Sequence, residues 1–192
     1  MSQRVLVINA RAGQAERLTL ALQENGHVVL ATEPLTEQLE TQVETLQPDL
    51  LVLDVYQPDQ SMLEQISQIS RRIPRPVVMF ADQGDSETAA AAVDAGVHAY
   101  VVDGFDAARL ASILDVAIAR FRVYQTLRDE LDRTRSLLRE RKIVDRAKGL
   151  LMNKRGWSEE QAYRSLQKMA MDQNRRLVDV AERVIDMSEL FQ

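Results

Sequence analysis

The stretch PDLLVLDVYQPD, residues 48–59, decides the fold. Leu50 to Val55 is apolar on both alternating faces except for Asp54 near its end, and proline-bearing turns bound it on either side. A strand that must bury both faces belongs inside a sheet covered by helices above and below, which is the setting of a parallel sheet. Working outward, the pattern repeats. Val5–Ile8 reads as a strand, and a helix with Leu18, Ala21 and Leu22 on one face follows it and ends at Asn25-Gly26. Val28–Leu30 reads as a second strand and Leu35–Leu46 as a second helix, stopped before Pro48. After the third strand come a helix over Met62–Ile73, a strand at Val77–Phe80, an alanine-rich helix over Ser86–Gly96 and a strand at Ala99–Val102. A further helix starts at Ala107. Five strands alternating with helices predict an α/β, flavodoxin-like, doubly wound parallel sheet, whose site lies at the C-terminal strand ends.

Composition narrows the chemistry. The chain has 192 residues, 45% of them apolar, with 5 prolines and 7 glycines, which suits an ordered domain and a smaller companion. With no cysteine and two isolated histidines, His27 and His98, no thiolate or imidazole metal site and no His-based triad is expected. Neither a metal, a cofactor nor a catalytic residue is assigned. The opening MSQRVLVINARAG lacks the apolar core of a signal peptide, and no stretch approaches the roughly 20 apolar residues of a membrane span. A cytoplasmic protein without membrane attachment is expected.

The net charge of −5 hides two halves of opposite sign. Residues 1–122 carry 9 cations against 17 carboxylates, whereas residues 123–192 carry 15 against 12. Arg133 to Arg155 holds nine cations against Glu140 and Asp145, and all four lysines lie beyond residue 140. Such asymmetry predicts an acidic module joined to a basic surface for an anionic partner, although a basic run alone also fits a solvated helix.

Over about the first 120 residues the chain resembles the receiver domain of bacterial response regulators. PDLLVLDVYQPD looks like the phospho-acceptor strand, RPVVMFADQGD like the fourth strand and its turn, and AGVHAYVVDGFD like the fifth. Receiver chemistry needs an acceptor aspartate, an acidic pair that holds Mg²⁺, a hydroxyl residue and a lysine. Metal and lysine neutralise the incoming phosphoryl group, and the hydroxyl reads out its presence. Here Asp54 is kept as a candidate phospho-acceptor, but the acidic pair falls on Asn9 and Ala10, the hydroxyl on Ala81 and the lysine on Asp103. A carboxylate in place of the cation disfavours a phosphoryl group nearby. Residues 1–122 are therefore expected to form a pseudo-receiver kept for protein contacts, with a solvated carboxylate at a strand end as the plain reading of Asp54.

From Ala107 to Met152 there is no proline and one glycine, so a single long helix is expected. Tyr124, Leu127, Leu131, Thr134 and Leu138 follow 3, 4, 3, 4 spacing, a heptad seam that predicts a dimerising coiled coil over residues 110–142 with Thr134 as its weak point. Packing of that seam on the first module is the competing reading.

Ser158-Glu159-Glu160-Gln161 fits a capping box, so Gly156-Trp157 should end the long helix and Ser158 start the next. Ala162, Tyr163, Leu166, Met169 and Ala170 recur at helical spacing, and Asn174 is expected to cap a third helix carrying Leu177, Val180, Ala181, Val184 and Ile185. Together with Leu150, Leu151 and Met152 these stripes predict a small all-α three-helix domain over residues 135–192. The run RAKGLLMNKRGWSEEQAYRSLQKMAMDQNRRLVDVAERVI resembles the ANTAR domain, named for the AmiR and NasR transcription antitermination regulators. Pseudo-receiver, coiled coil and ANTAR domain in that order resemble the whole architecture, most of all the NasT-type nitrate assimilation regulators.

That resemblance implies a non-enzymatic, RNA-binding antiterminator. It would hold tandem hairpins of a leader mRNA so that a terminator cannot form, act as a homodimer, and answer to a NasS/AmiC-like ligand-sensing regulatory protein. The residues agree. Arg146, Lys148, Lys154, Arg155, Arg164, Lys168, Arg175 and Arg176 offer phosphate contacts, which give salt-dependent affinity without sequence choice. Loop bases are read by stacking and edge hydrogen bonds. Tyr163 or Trp157 has the ring for that, yet at helical spacing among leucines both suit a core, the assignment adopted for Tyr163 and Leu151. Gly149 costs roughly 1 kcal/mol against alanine in a helix, which close approach of a helix or of RNA backbone beside Lys148 would offset. The competing function is a DNA-binding response regulator controlled by phosphorylation at Asp54. Its recognition helix should follow a short turn, whereas the densest charge here precedes Gly156.

Overall fold

The computed structural model describes residues 2–9, 15–34 and 38–190. In chain order its elements are β1 (Arg4–Asn9), α1 (Ala15–Glu24), β2 (Val28–Glu33), α2 (Leu39–Leu46), β3 (Leu50–Val55) and α3 (Gln60–Arg72). There follow β4 (Val77–Ala81), α4 (Ser86–Asp94), β5 (Ala99–Val101), α5 (Ala107–Arg155), α6 (Glu159–Asp172) and α7 (Leu177–Leu190). The chain divides into two compact units, Met1–Gln125 and Thr126–Gln192. The second helix is described from Leu39, since residues 35–37 of the expected span lie outside the described residues. Among the described residues no helix is long and apolar enough to cross a membrane.

In the first unit five parallel strands run in the order β2-β1-β3-β4-β5, the expected doubly wound arrangement. Successive strand residues point to opposite faces, and the two cores sort accordingly. Leu6, Ile8, Leu51, Leu53, Met79 and Ala81 face α2, α3 and α4 through Val43, Ile66, Ile69 and Ala92. Val5, Val7, Val52, Val78 and Phe80 face α1 and the start of α5 through Leu18, Leu22, Leu110 and Leu114. Every residue of β3 and β4 is buried, as the double-sided apolar pattern requires. Asp59 and Asp85 cap α3 and α4 by accepting the amide hydrogens of Met62 and Thr88, each at 2.8 Å.

In the second unit the C-terminal part of α5, α6 and α7 enclose a core of Ala147, Leu166, Ala170, Val180, Ala181 and Ile185. The predicted capping box forms: Ser158 Oγ accepts from Gln161 N–H at 3.2 Å, and Gln161 Oε1 accepts from Ser158 N–H at 2.9 Å. Gly156 sits at φ +67, and its amide donates to Met152 O at 2.9 Å, closing α5 with a left-handed residue that glycine adopts without steric cost. Asn174 is corrected. It does not start α7; at φ +49 it closes α6, its amide donating to Met171 O and that of Arg175 to Ala170 O, the paired bonds of a Schellman ending.

Both histidines brace the first unit as neutral acceptors. Val77 N–H donates to His98 Nδ1 at 3.2 Å and Gln3 N–H to His27 Nδ1 at 3.3 Å, and burial lowers both imidazoles below the ordinary 6.5. With the folded value below the unfolded one, the unfolded chain takes up protons first as pH falls. The contribution is complete above 6.5 and lost progressively below it. Urea midpoints of the first unit should therefore fall on acidification from neutrality to below 6.5, and fall less in His98→Asn, which keeps an acceptor but does not titrate.

Candidate nucleic-acid interface

At the carboxyl ends of the strands, Asp54 pairs in register with Asn9 on β1 and Phe80 on β4. It is wholly buried, so its reading as a solvated carboxylate is corrected. Ala81, in the hydroxyl position, is also fully buried and brings no side-chain hydroxyl. Gly104 N–H donates to Ala81 O at 3.0 Å, which places the Asp103–Gly104 turn beside that strand end, with Asp103 exposed at φ +71. Ala10, half of the substituted acidic pair, lies outside the described residues. Among the described residues no cluster of three or more potential metal-ligating side chains occurs.

The basic residues sort into three kinds. Lys148 is committed internally: its Nζ is 2.7 Å from Asp145 Oδ1 and 2.8 Å from Glu159 Oε1, tying α5 to the first turn of α6. These two hydrogen bonds raise its pKa, and the lysine in turn lowers that of Asp145. Arg164 pairs with Glu160 one turn back, and Arg176 meets Asp179 at 3.0 Å and Glu140 at 3.4 Å. These pairs are solvent-exposed, so a phosphate can compete for them at little cost. Lys154 reaches the carbonyl of Ser188 at 3.4 Å, and the Arg155 guanidinium lies 5.4 Å from the centroid of the Trp157 ring. Lys168 and Arg175 are exposed and make no ion pair among the described residues, and Arg146 is exposed on α5.

Two assignments change. Tyr163 is 39% exposed and stands with Arg176, Leu137 and Val144 around a groove of about 340 Å³, so it is not a core residue. Leu151 is half-buried against the core, as expected. A methyl group at Gly149 would meet nothing within 4 Å beyond its own helix turn, so no other element of the described residues approaches it closely. Sequence reading also passed over Ser188, which is 7% exposed and whose hydroxyl has no hydrogen bond among the described residues. Its helical spacing resembles that of any small core residue, so only packing reveals it.

The seam on α5 is open. Leu127, Leu131 and Leu138 are about half exposed or more, at 61%, 49% and 55%. Tyr124 is divided: 57% exposed, it also meets the His98 ring edge-on at 6.4 Å. Tyr124 thus makes a ring contact inside the first unit, to which it belongs.

A parallel-sheet unit with a sheet-end aspartate, followed by a basic helical unit, defines a response regulator with an all-α output module. The family comparisons agree. The response regulator receiver domain model matches residues 5–115 and the ANTAR domain model residues 132–185. The transcriptional regulatory protein PdtaR of Mycobacterium tuberculosis is 30% identical over 184 residues, 96% of this chain and 90% of that protein. The nitrate regulatory protein of Klebsiella oxytoca is 40% identical over 68 residues, 35% of this chain and 17% of its own length. Among solved structures, the receiver domain of a modulated diguanylate cyclase from Desulfovibrio desulfuricans G20 superposes with a TM-score of 0.54 at 20% identity, over 65% of this chain and 99% of that one. That likeness is one of fold. The chain belongs to the family of transcriptional regulators that join a receiver domain to an ANTAR domain.

Because the space beside Gly149 is open, Gly149→Ala should raise the stability of the second unit by about 1 kcal/mol in denaturant titration. Ser158→Ala should lower it by about 1 kcal/mol through loss of the cap.

Proposed function

We propose that this protein is a non-enzymatic RNA-binding antiterminator, which holds tandem hairpins of a leader mRNA so that the competing terminator cannot form. The observation that carries the reading is the pairing of an ANTAR module with a dense cationic surface, nine positive charges against two negative over Arg133–Arg155, in a chain that is otherwise acidic. Phosphate contacts fall to Arg146, Lys154, Arg155, Lys168 and Arg175, and to Arg164 and Arg176 after exchange of their exposed carboxylate partners. Lys148 serves instead as the α5–α6 clamp, and Gly149 leaves a side-chain-free strip beside it. Exposed Tyr163 supplies a stacking face at the groove it borders.

The active form is a homodimer built on Leu127, Leu131 and Leu138, whose burial against a second copy removes leucine surface from water, with Tyr124 at its margin. The first unit docks a ligand-sensing partner protein, NasS/AmiC-like, which binds the RNA-incompetent form more tightly until its small molecule weakens that preference. Nitrate or nitrite is the proposed signal, after the nitrate regulatory protein whose sequence is similar over 68 residues. The site of action is the cytoplasm. Asp54 is read as no phosphotransfer centre, because Ala81 and Asp103 stand where the family has its hydroxyl and its lysine.

The deciding experiment is competition between a two-hairpin leader RNA and duplex DNA of equal length. Preference for the RNA is expected; preference for the duplex would overturn the reading in favour of a DNA-binding regulator. The slope of log affinity against log salt should shrink by about 0.7–0.9 for each phosphate contact removed by Lys168→Ala or Arg175→Ala. Leu131→Lys should convert the dimer to monomer in sedimentation. Acetyl phosphate with Mg²⁺ should leave no acyl phosphate on Asp54.

A further inference from the structure

Around the end of α5, the second unit holds a concavity of about 310 Å³, separate from the Tyr163 groove, whose walls include Trp157, Met169 and Met187. This is at the small end of the roughly 300–1,000 Å³ range of ligand sites. Its lining is mainly apolar, but Lys154 and Arg155 stand at it, and so does Ser188. The Ser188 hydroxyl is buried and has no hydrogen-bond partner among the described residues, an arrangement that costs free energy until a partner satisfies it. Trp157 is held by the Arg155 guanidinium, 5.4 Å from its ring centroid. Met187 is 62% exposed, so the concavity is lined in part by a soft, adaptable side chain at the surface.

An apolar slot with an indole wall, one unsatisfied hydroxyl and two adjacent cations matches a ligand that is flat, carries hydrogen-bonding edges and hangs from an anionic backbone. We infer that this slot receives one unstacked base of an RNA hairpin loop, with Trp157 and the methionines against its face, Ser188 Oγ on its edge and Lys154 and Arg155 on the flanking phosphates. The inference rests on the RNA-binding reading and deepens it: phosphate contacts alone give no sequence choice, and this slot supplies one. An apolar side chain from a protein partner would fill the volume but would leave both the hydroxyl and the cations unanswered.

Trp157 is the only tryptophan in the chain, so its fluorescence reports on the slot directly. The probe is a pool of RNA stem-loops with a fixed stem and randomised loops, from which the full chain selects binders. A selected RNA is then remade with an abasic site at each loop position in turn. Binding of the intact RNA should quench Trp157. One abasic position should abolish the quench and weaken binding roughly 5- to 100-fold, the range of a single base–aromatic stack. Ser188→Ala, which removes only the hydroxyl, should keep the quench while narrowing the spread of affinities among the four bases at that position. RNA that binds without changing Trp157 emission, or a quench that survives every abasic replacement, overturns the slot and leaves RNA binding standing. Unchanged base preference in Ser188→Ala overturns the reading of the hydroxyl. A chain that retains no RNA from the pool overturns the RNA-binding proposal itself, and the slot with it.

Discussion

Helix α5 belongs to two cores. Leu110, Leu114 and Ala117 near its start close one face of the parallel sheet, and Ala147 with Ile143, Val144 and Leu150 forms one wall of the three-helix unit. Neither core is complete without it. The second is the more dependent, since its buried cluster among the described residues is Ala147, Leu166, Ala170, Val180, Ala181 and Ile185, and a core that small is marginal by itself. Its stability therefore leans on the ends of its helices: the capping box at Ser158, the left-handed closures at Gly156 and Asn174, and the Lys148 clamp between α5 and α6.

Between those two buried segments α5 carries leucines in water and a high density of charge. Leu127, Leu131 and Leu138 stay about half exposed or more, and nine cations face only Glu140 and Asp145 over Arg133–Arg155 of the same helix. One helix thus offers an apolar seam and, further along, a cationic surface. Partner chain and nucleic acid would be recognised through different physical terms, one scaling with buried apolar area and the other with released counterions.

The receiver unit keeps the architecture of its family, with Ala81 and Asp103 where the resemblance places the family's hydroxyl and lysine. Asp54 is buried at the end of β3, and the Asp103–Gly104 turn hydrogen-bonds to the end of β4. The sheet is packed on both apolar faces with those residues in place.

The alternation of double-sided apolar strands with helices determined the parallel sheet, and Ser158 to Gln161 determined where α6 begins, because both are local patterns whose physics acts within a few residues. Charge distribution likewise marked the basic unit. What tertiary structure decided were the matters set by distant neighbours. Asp54 is buried, although a carboxylate at a strand end reads as solvated. Tyr163 faces a groove, although its spacing matches the core stripe, and Asn174 closes the helix before it instead of opening the one after. Lys148 spends its charge on Asp145 and Glu159, the latter eleven residues away, and Ser188, its hydroxyl without a partner among the described residues, lines one concavity with Trp157, thirty-one residues away. Periodicity specifies which side of a helix is apolar; which other helix meets that side, and what polar atom is trapped there, depends on contacts that no local spacing encodes.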